Sequence, residues 1–408
     1  MKSDIDRLMQ ERGFDAIVIM GQAMENPALL YMTSRAHISN GVVIKQRGKP
    51  PVLLCNPMER EEGAKSGLET MTYNDFDLYR LVDELGSGYE ATLRMYANIF
   101  ERFGIKGTVG FYGLGDPGRS FVMLSQLNEM LPDITITGET ETSIFDLAYA
   151  TKDGDELAAI KSVAERANVV MAEVVDFLKR HGVADNRLVK ADGEPLTVGD
   201  VKRFIQERLM AVGLEEGDPS IFAIGRDAGI PHSRGEESDH LELGKSIIFD
   251  LFPRERGGGY FHDMTRTFCL GYAPPEVNRL YDEVIAAFEA VVAALMVGQP
   301  CKKYHEMVCD YFEARGYPTI KSNPGTTDGY VHSLGHGIGL QIHSTPRLSS
   351  ISKDIFEPGQ VFTVEPGLYF PEKGYGVRIE DSFYIDQDGE FHSLSTFSKE
   401  LVLVVGKK

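Results

Sequence analysis

Cysteine is scarce in this chain, and the four that occur (Cys55, Cys269, Cys301 and Cys309) show no C-x-x-C spacing. That pattern argues against a disulfide framework or a structural zinc site and is the one expected of reduced thiols. No apolar run reaches the roughly 18 residues a bilayer crossing requires. The best candidate, VIAAFEAVVAALMVG, is short and interrupted by charge. The first residues, MKSDIDRLMQERGFDAIVIMG, do not read as a secretory leader, because they open on an amphipathic helix pattern with acidic residues among the basic ones. The expectation is a cytoplasmic protein with no membrane partner. Positive charge is in deficit: the formal net charge is −19, and no basic stripe or stacking-aromatic module offsets it, so no nucleic-acid partner is expected. Low-complexity tracts are also missing, and 42% hydrophobic with 25% charged residues are ordinary values for a globular chain.

What is present is length and pattern. At 408 residues the chain predicts two or three domains, at about 150 residues each. The stretches DAIVIMG, GVVIKQRG, PVLLCN, TVGFYG and ITITGE read as strands between helical patterns, one of them running from 78 to 104, so residues 1–153 are expected to form an α/β domain. From TKDGD onward long helices take over, placing the second domain at 154–408. That second part reads as a duplication. A long helix (about Asp155 to His181, then about Pro275 to Gly298) is followed by a G-x-P helix segment (193–213, then 298–316). A histidine-bearing stretch and an acidic hairpin come next. Two similar halves of this kind enclose a shared cleft, where ligand sites tend to occur.

The chemistry concentrates in that part. Asp250 ends the apolar run Ser-Ile-Ile-Phe, and Asp263 is expected on the return strand after the Gly257-Gly258-Gly259 turn. Buried carboxylates on adjacent strands are costly unless paired or bound to a cation, with Arg266 and nearby lysines as the competing partners. The second hairpin repeats the arrangement with Glu365 in QVFTVEPGLYF and Glu380 in YGVRIEDSF. Four acids on four apolar strands favour metal over accident. Three of the ten histidines and three glycines crowd into HSLGHGIGLQIH, residues 332–343. Gly335, Gly337 and Gly339 allow close backbone passage and unusual conformations. His336 between them suits an imidazole ligand in a site otherwise made of carboxylates, fitting Mn²⁺, Co²⁺ or Fe²⁺ and tolerating Zn²⁺. Five ligands exceed what one ion with open positions needs, so two metals sharing carboxylates are expected. Spacing leaves His232, His332 and His343 open between structural and catalytic roles, with His332 leaning structural. His262 should alternate away from Asp263 to the opposite face.

The ordered set Asp250, GYFHDMTRTF with Asp263, GHGIG with His336, VEPGLY with Glu365 and VRIED with Glu380 resembles the pita-bread metallopeptidases: prolidase, aminopeptidase P and methionine aminopeptidase, with creatinase as a metal-free relative. The match covers about residues 155 to 408. ENPALLYMTS resembles, more weakly, a stretch of the creatinase-type N-terminal domain, which favours prolidase or aminopeptidase P. The resemblance implies an α+β chain: a creatinase-type α/β domain before a pita-bread catalytic domain with pseudo-two-fold halves. It implies a dinuclear peptidase, Mn²⁺ first, that hydrolyses the Xaa-Pro bond of dipeptides or short peptides by attack of a metal-bridging hydroxide, and a homodimer. In it, Asp250 would bind one metal, Asp263 and Glu380 would bridge, and His336 and Glu365 would bind the other, Glu365 also carrying the proton. His232 and His343 would contact substrate, Arg378 would position the second-hairpin acids, and Arg347 in HSTPRL would grip a dipeptide's carboxylate. Two departures bear on substrate: the Asp250 to Asp263 spacing is two residues longer than usual with FDLFP replacing Asp-x-Gly, and Ser344 follows His343 where the family commonly has Glu. The alternatives are a non-peptide substrate on the same scaffold, of amidinohydrolase or lyase type, or a binding protein on a retired peptidase fold.

Overall fold

The structure, a computed structural model, describes residues 1–113 and 115–406. It divides into two compact units, one of Met1–Ala148 with Gly257–Gly259, the other of Tyr149–Arg256 with Tyr260–Lys408.

The first unit is built on a six-stranded mixed sheet. From one edge to the other its strands are Glu69–Thr72, Val52–Cys55, Asn40–Gln46, Ala16–Gln22, Gly107–Gly113 and Ile134–Thr137. The run Ala16-Ile17-Val18-Ile19 is wholly buried, as a strand covered on both faces must be. The helical pattern from 78 to 104 resolves into two helices, Leu78–Leu85 and Gly88–Phe103. Gly86 ends the first in the left-handed region (φ 65°), and the Ser87 side chain accepts from the Glu90 N–H to start the second. A left-handed glycine followed by an N-cap residue was the signal that divides them.

The second unit repeats one layout. In its first half, helix Gly154–Lys179 opens with a reciprocal capping box between Asp153 and Glu156 and buries Val163, Ala167, Val170, Met171 and Val174 along one stripe. Helix Val198–Ala211, capped by Thr197 and Asp200, packs beside it over strands Ile221–Ile224, Ser246–Leu251 and Met264–Leu270. The second half sets helices Pro275–Ala294 and Cys301–Glu313 against a five-stranded sheet containing Gly335–Gly337, Val361–Val364 and Asp381–Ile385. No helix among the described residues is long and apolar enough to cross a membrane.

Strands Ser246–Leu251 and Met264–Leu270 pair antiparallel with Asp250 opposite Thr265. Within the intervening chain Pro253–Glu255 forms a two-stranded ribbon with Leu214–Glu216. Gly257 and Gly258 then reverse it at φ 86° and 90°, a region closed to most side chains.

Candidate metal centre

Of the four acids, only Asp250 lies within a strand. Asp263 immediately precedes Met264–Leu270, Glu365 links Val361–Val364 to Gly367–Phe370, and Glu380 links Tyr375–Arg378 to Asp381–Ile385. The strand ends nonetheless converge. Oxygens of Asp263 and Glu380 and a ring nitrogen of His336 lie within 4.8 Å of one another. His336 Nε2 stands 3.6 Å from Asp263 Oδ2 and 3.6 Å from Glu365 Oε1. Asp250 joins through Arg378, whose Nη2 donates to its Oδ2 at 2.6 Å. All five side chains line one cleft of about 670 Å³ together with His232, His343, Arg347 and Arg378.

The glycines around His336 serve close approach. A Cβ on Gly335 would lie 2.0 Å from the Thr363 carbonyl oxygen and one on Gly337 2.0 Å from that of Thr345, so neighbouring strands close in from both sides. None of Gly335, Gly337 and Gly339 takes a positive φ, so the unusual conformations expected of them are not what they supply. The clamp fixes the imidazole. Its Nδ1 lies 3.2 Å from the Gly337 carbonyl; a carbonyl only accepts, so Nδ1 carries the proton and the Nε2 lone pair faces the acids. Burial, with His343 nearby, lowers the His336 pKa to about 3 and keeps it neutral.

The acids are electrostatically frustrated. Burial and the carboxyls of Glu380, Asp250 and Glu365 push Asp263 well above the usual carboxylate range. Burial followed by Glu365 and Asp250 does the same to Glu380, and burial, with Asp250 adding and Arg378 opposing, lifts Glu365 to about 8. Asp250 Oδ1, Asp263 Oδ1 and Glu380 Oε1 are buried with no hydrogen-bond partner among the described residues. Arg266, the competing partner the sequence offered, is engaged elsewhere: it is wholly buried and donates to Asp381 Oδ1 and to the carbonyls of Thr265, Glu380, Phe397 and Ser398. Orphaned carboxylate oxygens converging on a neutral imidazole nitrogen fit a divalent cation of the harder kind.

Arg378, expected to position the second-hairpin acids, opposes the pKa rise of Glu365 and Glu380 through its charge. Its ion pair is with Asp250 of the first hairpin, and its remaining donors go to Pro231 O, Tyr369 Oη and Thr265 Oγ1. His232 and His343 are exposed at the cleft wall, and the His343 ring meets that of His336 edge-on at 4.5 Å. Partial burial and Arg347 lower the His343 pKa. The exposed Arg347 guanidinium has no hydrogen bond or ion pair among the described residues.

His332 belongs to the cleft, where its placement in the sequence leaned structural. Its Nδ1 donates to Ser333 O at 2.7 Å, so its Nε2 accepts from the Tyr369 hydroxyl at 2.9 Å, which in turn accepts from Arg378. Tyr369, which links His332 to Arg378, was missed; it carries no signal beyond its place in the run VEPGLYF. Thr265, which donates to Glu380 Oε2 at 2.8 Å, went unread for the same reason. His262 does not line the cleft and is wholly buried.

Two helix, helix, sheet halves around an acid-rich cleft, preceded by a smaller α/β unit, define a pita-bread metallopeptidase architecture. The family profile of metallopeptidase family M24 matches residues 158–387, and the chain belongs to that family. Among curated relatives, it is 27% identical to the uncharacterized peptidase YqhT of Bacillus subtilis over 80% of this chain and 82% of that protein. It is 28% identical to the Xaa-Pro dipeptidase of Pyrococcus furiosus over 67% of this chain and 77% of that protein. The solved Xaa-Pro dipeptidase from Bacillus anthracis superposes over 99% of both chains with a TM-score of 0.76 at 24% identity.

Proposed function

We propose that this chain is a cytoplasmic, homodimeric peptidase that uses two divalent metal ions, Mn²⁺ first, to hydrolyse the bond before proline in dipeptides or short peptides. Asp250, Asp263, His336, Glu365 and Glu380 would hold the ions. Bound there, divalent cations supply Lewis acidity toward a carbonyl oxygen and a nucleophile at neutral pH.

The chain's own residues do the rest. Glu365, whose burial raises its proton affinity, takes the proton from the attacking water at its carboxylate and returns it to the proline nitrogen as the C–N bond breaks. His232 and His343, at the cleft wall, donate to the carbonyl oxygen as it gains negative charge. Arg378 holds Asp250 in place through the 2.6 Å contact. Arg347, whose guanidinium has no partner among the described residues, receives the product-side carboxylate through paired hydrogen bonds.

The observation that carries this reading is the set of buried acid oxygens without a hydrogen-bond partner among the described residues, in a domain whose relatives include an Xaa-Pro dipeptidase. The test is proline release from a panel of Xaa-Pro dipeptides and one Xaa-Pro-Yaa tripeptide, with Mn²⁺ and with a chelator. Mn²⁺-dependent cleavage of the dipeptides alone supports the dipeptidase with Arg347 as its clamp. Cleavage of the tripeptide moves the assignment to aminopeptidase, and silence across the panel from metal-loaded protein refutes the peptide substrate.

A further inference from the structure

Two buried ionisable residues at the start of helix Gly154–Lys179 have no part in the proposed mechanism. Lys152 and Glu156 are both buried, at 3% and 5% exposure. The Lys152 ammonium has no hydrogen-bond partner among the described residues. A buried ammonium is expensive, and an apolar side chain of similar length would fill the space at lower cost. Such a departure from economical packing points to a role.

The surroundings indicate which one. Glu156 Oε2 accepts from the Asp153 N–H in the helix cap, which leaves Oε1 free to accept from the Tyr260 hydroxyl at 2.9 Å. Tyr260 opens the segment Tyr260-Phe261-His262-Asp263 that delivers Asp263. The next residue, Phe261, donates its N–H to the Gly339 carbonyl at 2.9 Å, joining that segment to the one that carries His336. Lys152 packs on the same glycine: a Cβ placed on Gly339 would sit 3.4 Å from Lys152 Cε and 3.6 Å from Nζ. Burial lowers the Lys152 pKa to about 8 and raises that of Glu156, and the charge of each residue opposes the shift of the other. An ionised Glu156 accepts a hydroxyl more strongly than a neutral one.

Building on the metal reading above, we propose that Lys152 and Glu156 are positioning residues. The Lys152 charge keeps Glu156 an acceptor for Tyr260, and the pair locks segment 260–263 to segment 336–339, so that Asp263 and His336 face each other ready for a divalent cation. Neither residue touches substrate or metal. They act through Tyr260, Phe261 and Gly339.

The test is Mn²⁺ titration calorimetry on chelator-stripped protein, with thermal unfolding of the same stripped samples alongside. K152M removes the charge and keeps the length, K152R keeps the charge, and Y260F deletes one oxygen. K152M and Y260F are each expected to weaken Mn²⁺ binding by about 10–100-fold, the usual cost of losing a ligand's support, while K152R stays near wild type. A purely structural pair would lower the unfolding temperature and leave the Mn²⁺ isotherm unchanged, and that result would overturn the proposal. If K152M fails to fold, Y260F alone decides. Wild-type protein that takes up no Mn²⁺ would overturn the metal reading and this inference together; uptake by wild type with unchanged variants would overturn the inference alone.

Discussion

Removing the metal should make the stability of this protein fall as pH rises, and Glu365 should account for a measurable share. A group whose pKa is raised on folding stabilises the folded state below its unfolded pKa, and that contribution is lost as pH climbs through the folded value. Glu365 moves from an ordinary 4.5 to about 8, so the loss spans the interval between them. A shift of that size corresponds to roughly 5 kcal/mol as an upper bound. At about 2–4 °C per kcal/mol for a domain of this size, the unfolding temperature falls by on the order of 10 °C. Asp263 and Glu380 shift the same way and add to the slope. The assay is differential scanning fluorimetry from pH 5 to pH 8 on chelator-treated wild type and E365Q, each repeated with Mn²⁺. Stripped wild type should lose stability more steeply than stripped E365Q, and Mn²⁺ should flatten the wild-type curve, because cations favour the ionised acids. Parallel slopes for stripped wild type and E365Q would refute the electrostatic reasoning.

Two further consequences concern stability alone, and a third concerns the substrate. Replacing Arg266 by Met removes a donor from Asp381 Oδ1 and from four carbonyls and leaves Lys399 as the remaining ion-pair partner of Asp381; the expected loss is about 3–5 kcal/mol in a denaturant titration. His262 is buried with neither ring nitrogen hydrogen-bonded among the described residues, and burial with Arg266 lowers its pKa to about 3. H262L should therefore be neutral or stabilising by about 1 kcal/mol in urea unfolding, and a loss of several kcal/mol would mean the imidazole has a partner. R347A should raise KM for an Xaa-Pro dipeptide at least tenfold while leaving the Xaa-Pro amide nearly unchanged, which steady-state kinetics on the two substrates checks.

The composition of the site was legible because chemistry restricts it: few residue types bind a divalent cation, and acids inside apolar runs stand out. Asp250, Asp263, His336, Glu365 and Glu380 converge as their local patterns suggested, although three of the four acids sit at strand ends. Periodicity marks a run as apolar but not where hydrogen bonding stops. Tyr369 and Thr265 stayed hidden because a strand tyrosine or threonine has the same signature whether its hydroxyl faces a ligand or only packs. Nothing in the sequence sets Lys152 and Glu156 apart, since capping boxes place a glutamate at that position for local reasons. The two-helix break at Gly86 was readable from a glycine and a capping serine, but the apolar pattern on either side of it is continuous enough to mask both.

The proposed two-metal site is tested most directly by an anomalous diffraction map at the manganese edge from crystals grown with Mn²⁺. Two peaks enclosed by Asp250, Asp263, His336, Glu365 and Glu380 are predicted. A map without density among those residues, from protein whose surface sites are loaded, would contradict it.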